Sequence, residues 1–173
     1  MIDGKTIWYL HGFESAPGGE KPEWLESLGN SIYAPDMQYK KTNRHTYCEM
    51  RDVRHLTLKK LLFEAQVNPP DLIIGSSMGG YYADVLGSHL GVEVLLFNPA
   101  LHNRPINIKL NYGEHNYKRH FIVGEEDDVI TPSATKVLAD ISDNWITVPN
   151  MGHRTPLKVF KDIYKKVILN EIN

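Results

Sequence analysis

The sequence predicts an α/β protein built on a six-stranded, mainly parallel sheet with helices on both faces. Three observations carry that reading. Six short apolar runs, rich in β-branched and aromatic residues, are spread along the 173 residues. Most of the stretches between them repeat their apolar positions at helical spacing, and this alternation favours parallel strands joined by crossover helices. One run, "DLIIG" (residues 71–75), is continuously apolar from Leu72 to Ile74, as expected of a strand covered on both sides.

The elements follow in order. "TIWYL" (Thr6 to Leu10) is a buried first strand stopped by "HG". "KPEWLESLG" reads as a helix, with Pro22 in its first turn and Gly29 just past its last. "SIYAP" (Ser31 to Pro35) is a short second strand closed by proline. From about Arg44 to Gln66 runs the longest helical pattern. Its apolar face is Met50, Val53, Thr57, Leu58, Leu61, Leu62 and Ala65, and "NPP" ends it. The third strand is "DLIIG", followed by a helix over "YYADVLGSHLG" and a fourth strand, Val92 to Asn98. "HFIVG" (His120 to Gly124) is the fifth. "TPSATKVLADI" is a helix with Thr131 as N-cap and Pro132 at the first helical position. "WITVP" (Trp145 to Pro149) is the sixth strand. A last helix repeats the Thr-Pro start at Thr155 and Pro156, with a stripe of Leu157, Phe160, Tyr164, Val167 and Ile168.

Composition narrows the function. The length suits one domain over residues 1–173, and 42% hydrophobic with 23% charged residues is ordinary for a soluble globular chain. A formal net charge of -2 argues against nucleic acid. The N-terminus reads as a strand rather than a signal peptide. No apolar run nears the roughly 20 residues that span a bilayer, so no membrane partner is expected. Cys48 is the only cysteine, which rules out an internal disulfide and fits a cytoplasmic location.

In open parallel sheets, ligands bind beyond the carboxyl ends of the strands. Chemistry-bearing residues stand there after the first, third, fifth and sixth strands. Gly75-Ser76-Ser77-Met78-Gly79 matches G-x-S-x-G between a strand and a helix. A serine at the tip of so sharp a turn is strained and exposed, and glycines two before and two after it let strand and helix cross closely. Ser77 is therefore the expected nucleophile. An ordinary Gly/Ser turn is the plain alternative, and a phosphate loop fits worse because no Gly-Lys-Ser/Thr follows.

A serine hydroxyl needs a base, and the base needs an orienting group. His153 follows the last strand in "NMGHRTP", and Asp127 follows the fifth in "VGEEDDVITP", with Asp128 as the alternative acid. Taken singly, each is as compatible with a solvated loop. The chain order Ser77, Asp127, His153 makes them a triad. Two backbone donors should hold an oxyanion: the N–H of Met78, just after the nucleophile, and that of Phe13, with Gly12 letting the chain approach. His11 is expected to orient that loop. His115 and His120, five apart with no matching acids or thiols, are read as surface residues, so no metal and no cofactor are expected.

Together "YLHGFESAP", "GSSMGGYYA" and "FNPA" resemble the small α/β-hydrolase esterases of the YqiA-like family. The likeness is densest over residues 7–17 and 73–100. It implies the α/β-hydrolase fold with spatial strand order 2-1-3-4-5-6. It also implies a serine esterase with Ser77 as nucleophile, Asp127 as acid and His153 as base. Residues 101–119, where larger members carry a helical cap, are here short and polar, so the cap is minimal. The expected substrate is a small-molecule ester with a short acyl group, bound near Phe13, Met78, Tyr81 and that segment. An acyl thioesterase would use the same triad, and a non-catalytic binding protein could keep the fold. Nothing in the sequence sets an oligomeric state.

Overall fold

The computed structural model describes residues 4–39, 47–102 and 117–171, with backbone alone over 47–53. Its six strands are β1 (Thr6–Leu10), β2 (Ser31–Tyr33), β3 (Leu72–Ser76), β4 (Val94–Phe97), β5 (Arg119–Gly124) and β6 (Asn144–Val148). Among the described residues, five helices connect and follow them: α1 (Glu20–Ser27), α2 (Tyr47–Val67), α3 (Met78–Leu90), α4 (Pro132–Lys136) and α5 (Leu157–Val167). The sheet order is β2-β1-β3-β4-β5-β6, and every neighbouring pair is parallel. This is the α/β-hydrolase fold, with the strand order that the resemblance implied.

Alternation along β1 divides the core into two layers. Trp8 and Leu10 face a cluster with Leu58 and Leu61 of α2 and Tyr82, Val85 and Leu86 of α3. Ile7 and Tyr9 face the other side, with Leu25 of α1 and Phe160 and Tyr164 of α5. β3 and β4 are buried along nearly their whole length, so both faces of the sheet centre are dry. Trp8 can be wholly buried because its indole N–H donates to the Asn68 carbonyl at 3.2 Å. Full burial of such a side chain is worth about 2–3 kcal/mol.

Several boundaries differ from the sequence reading. β2 stops at Tyr33, short of Pro35, since a proline has no N–H for the ladder. α4 is only Pro132–Lys136, whereas the pattern suggested a helix through Ile141. Val137 and Ile141 face solvent, and only Leu138 and Ala139 of that stretch pack against the core, too little to hold further turns. α5 begins at Leu157 with Pro156 in the cap position, one residue later than the Thr-Pro pattern suggests. The Thr155 hydroxyl therefore caps nothing. His120 is buried rather than on the surface: its ring lies 2.7 Å from Glu93 Oε1 and 3.0 Å from Asn144 Nδ2. The predicted start of the long helix at Arg44, the side chains of Met50 and Val53, His115 and most of the segment 101–119 lie outside the described residues. No described helix is long and apolar enough to cross a membrane.

Candidate active site

The turn from β3 into α3 is as sharp as its glycines require. Ser77 sits at φ 52°, ψ -117°, a conformation that side chains rarely adopt. A Cβ on Gly75 would lie 2.5 Å from the Gly79 carbonyl oxygen and 2.7 Å from the Gly80 Cα. A Cβ on Gly79 would overlap the Leu10 carbonyl at the end of β1. Strand, helix and the next strand over thus meet at a point where only hydrogen fits. The Ser77 N–H donates to the Phe97 carbonyl at 2.9 Å, and its own carbonyl accepts from Gly80 and Ala100. These bonds hold the strained residue in place.

Three sequence-predicted side chains meet at this corner. Ser77 Oγ lies 3.1 Å from His153 Nε2. His153 Nδ1 lies 2.9 and 3.1 Å from the two Asp127 carboxylate oxygens. Asp127 is 3% exposed, and its Oδ1 also accepts the backbone N–H groups of Val129 and Ile130 at 2.9 and 2.8 Å. Buried and so surrounded by donors, the carboxylate favours an Nδ1–H tautomer of His153, which leaves Nε2 free to take a proton from Ser77. Asp128, the alternative acid, is exposed.

Gly12 closes the site from the β1 side: a Cβ there would come within 3.2 Å of Ser77 Cβ. Its loop is fixed by His11, as expected. His11 is 3% exposed, accepts the Met37 N–H on Nε2 at 3.2 Å and donates from Nδ1 to the Gly12 carbonyl at 2.8 Å. The Tyr39 hydroxyl adds a bond to the His11 carbonyl. Phe13 follows on the rim. Met78 opens α3, where a first-turn N–H has no intrahelical acceptor. Of the two residues expected to supply oxyanion donors, Met78 thus stands next to the nucleophile in the chain and Phe13 on the same cleft.

A cleft of about 490 Å³ opens over Ser77 and His153, lined also by Gly12, Phe13, Ser76 and Val129. Tyr81 does not line it. One helical turn beyond the nucleophile, it is 2% exposed and packs in the core against Tyr82. The Met78 side chain also packs against that core. Among the described residues no cluster of His, Cys, Asp and Glu could hold a metal.

The sequence reading missed Asn98. It follows β4, is wholly buried, and adopts φ 44°, a region asparagine tolerates better than most residues. Its Nδ2 donates to the carbonyls of Gly152 and His153 at 3.1 and 2.8 Å, and its Oδ1 accepts the Gly124 N–H at 2.8 Å. One side chain therefore ties the end of β4 to the end of β5 and to the loop that carries the base. The only sequence signal was an asparagine before a proline at a strand end, in "FNPA".

The profile of the uncharacterised protein family UPF0227 matches residues 6–141. The chain belongs to this family. A UPF0227 protein of Vibrio vulnificus is 33% identical over 98 residues, covering 56% of this chain and 51% of the relative. A UPF0227 protein of Vibrio parahaemolyticus is 32% identical over a stretch of the same length. These matches span about half the length of each relative. Among solved structures, a protein of Xanthomonas campestris classed with the alpha/beta hydrolase superfamily has TM-score 0.74 at 21% identity, covering 96% of this chain and 99% of its own. Est1E from Butyrivibrio proteoclasticus has TM-score 0.67 at 13% identity, covering 98% and 89%. At such identities the structural likeness speaks for the fold that this UPF0227 member shares with them.

Proposed function

We infer that the protein is a serine hydrolase acting on carboxylic esters with small or short-chain acyl groups. The observation that carries this reading is the hydrogen-bonded line from Ser77 Oγ through His153 to buried Asp127. The hydrolases and esterases among its structural neighbours agree with it. Ser77 Oγ attacks the ester carbonyl carbon as His153 Nε2 takes its proton. The N–H groups of Met78 and Phe13 hold the oxyanion, a task in which one lost donor costs about 10²- to 10³-fold in rate. His153 returns the proton to the leaving alkoxide, and the acyl group stays on Ser77. Water, deprotonated by His153, then releases the carboxylic acid. The modest cleft suits a substrate of small-molecule size.

The test is covalent labelling with a fluorophosphonate, with the labelled residue located by mass spectrometry. Label on Ser77 that is lost in Ser77→Ala is the expected result. A folded wild-type protein that takes no label would refute the reading. A series of 4-nitrophenyl esters should then peak at short acyl chains.

A further inference from the structure

The wall of the cleft formed by β1, α1 and the chain entering α5 carries three polar groups outside the triad: Tyr9, Lys21 and Thr155. Phe160 of α5 lies behind two of them. The Tyr9 ring meets it edge-on with centroids 6.2 Å apart, and the Lys21 ammonium lies 5.7 Å from its centroid. Thr155 is 7% exposed, and its hydroxyl has no hydrogen-bond partner among the described residues. That oxygen has almost no accessible surface, so Thr155 lines the cleft without presenting its hydroxyl to it.

Lys21 is partly buried and lines the cleft. No carboxylate among the described residues lies within ion-pair distance of its Nζ. Burial pulls its ammonium below the ordinary lysine range, and neighbouring Glu20 offsets this only in part. The other charges on the cleft, Glu14 and Arg154, stand at the exposed rim 3.6 Å from one another and largely cancel. Burial pushes Tyr9 up to about 12, so its hydroxyl keeps its proton at neutral pH. The wall therefore offers an ammonium and the Tyr9 hydroxyl, both able to donate, and among the described residues no carboxylate is paired with the ammonium.

We propose that this wall is an anion subsite, and that the substrate is an ester bearing a carboxylate or similar anion on the part of the molecule that does not react. Lys21 Nζ and the Tyr9 hydroxyl donate to that anion while Ser77 attacks the ester carbonyl. The proposal rests on the hydrolase reading and adds the charge of its substrate.

Two matched pairs of esters test it. One pair, 4-nitrophenyl butyrate and mono-4-nitrophenyl glutarate, places the charge on the acyl side. The other, phenyl acetate and 4-acetoxybenzoate, places it on the leaving group. The quantity to follow is the ratio of kcat/KM, charged over neutral, within each pair. The wild type should favour the charged member of at least one pair by about tenfold, the size of one charge-assisted contact. Lys21→Met should bring that ratio close to one, Lys21→Arg should retain most of it, and Tyr9→Phe should lower it severalfold. Fluorophosphonate labelling of Ser77 in each variant verifies that the nucleophile is still active. A labelled wild type with no charge preference in either pair, or a labelled Lys21→Met that keeps the preference, overturns the subsite and leaves the hydrolase reading standing. An unlabelled wild type overturns both.

Discussion

Two walls of one cleft are built on opposite terms. On the triad side the acid and the amide that supports the base are fully engaged. Asp127 takes donors from His153, Val129 and Ile130, and Asn98 spends both ends of its amide on backbone groups. On the α1–α5 side the Lys21 ammonium has no carboxylate within ion-pair distance among the described residues. Both walls are largely shielded from water, so the contrast is not one of exposure. A group that must act on a bond is held rigid by its neighbours. A group that must recognise is left with its valence open, and the substrate completes it.

The largest effect should come from the rigid wall. Asp127→Asn keeps the shape but offers His153 a donor where it needs an acceptor, so kcat should fall by about 10⁴-fold. Steady-state hydrolysis of 4-nitrophenyl butyrate measures this, and a loss of less than tenfold would mean that Asp127 does not orient the base. Next comes Asn98→Ala. It leaves two carbonyls and one N–H unpaired inside the protein, a loss of about 1–3 kcal/mol in stability. It also loosens the loop that sets His153, and kcat should drop by about 10- to 100-fold with KM little changed. Thermal unfolding together with initial rates separates the two effects.

The smallest expected effect concerns the open wall and sharpens the contrast. Burial makes Lys21 lose its proton at a lower pH than an exposed lysine does. The charge that recognises an anion is present below that point and lost above it. The ratio of kcat/KM for charged over neutral ester should therefore hold at neutral pH. It should decline severalfold on the alkaline side, before the ordinary lysine range is reached. Among the groups beside Lys21, Tyr9 still keeps its proton there, Thr155 does not titrate, and Glu20 is the neighbouring carboxylate. Because both substrates share the triad, its own titration cancels in the ratio. A ratio that stays flat through strong alkali would mean that Lys21 does not read the charge.

The rigid wall was legible in the sequence because its members announce themselves locally. Ser77 has glycines at fixed offsets, and Asp127 and His153 stand directly after strands that alternate patterning reveals. The strands themselves were legible for the same reason, since β3 and β4 are apolar along their length. What stayed hidden depends on partners far away in the chain. Asn98 looks like any turn asparagine until Gly124 and the loop at 152–153 arrive beside it. Lys21 looks like a helix-surface lysine and Thr155 like an N-cap. Only the packing of α1 against α5, and the one-residue shift in where α5 begins, give them their surroundings. Tyr81 shows the converse: four residues from the nucleophile along the chain, it belongs to the core.

The Asn98 bracket also decides how the protein tolerates local opening. His153 follows β6, an edge strand of the sheet whose residues are mostly exposed or half-buried, and such strands open more readily than inner ones. A base tethered only through that strand would drift whenever the edge opened. The Asn98 amide instead anchors its backbone to the inner strands β4 and β5, and the Glu126 N–H bond to the Met151 carbonyl adds a second tie. The reacting geometry can thus outlast excursions of the strand that leads to it. Amide hydrogens along β6 can exchange with solvent while Ser77 and His153 remain in register.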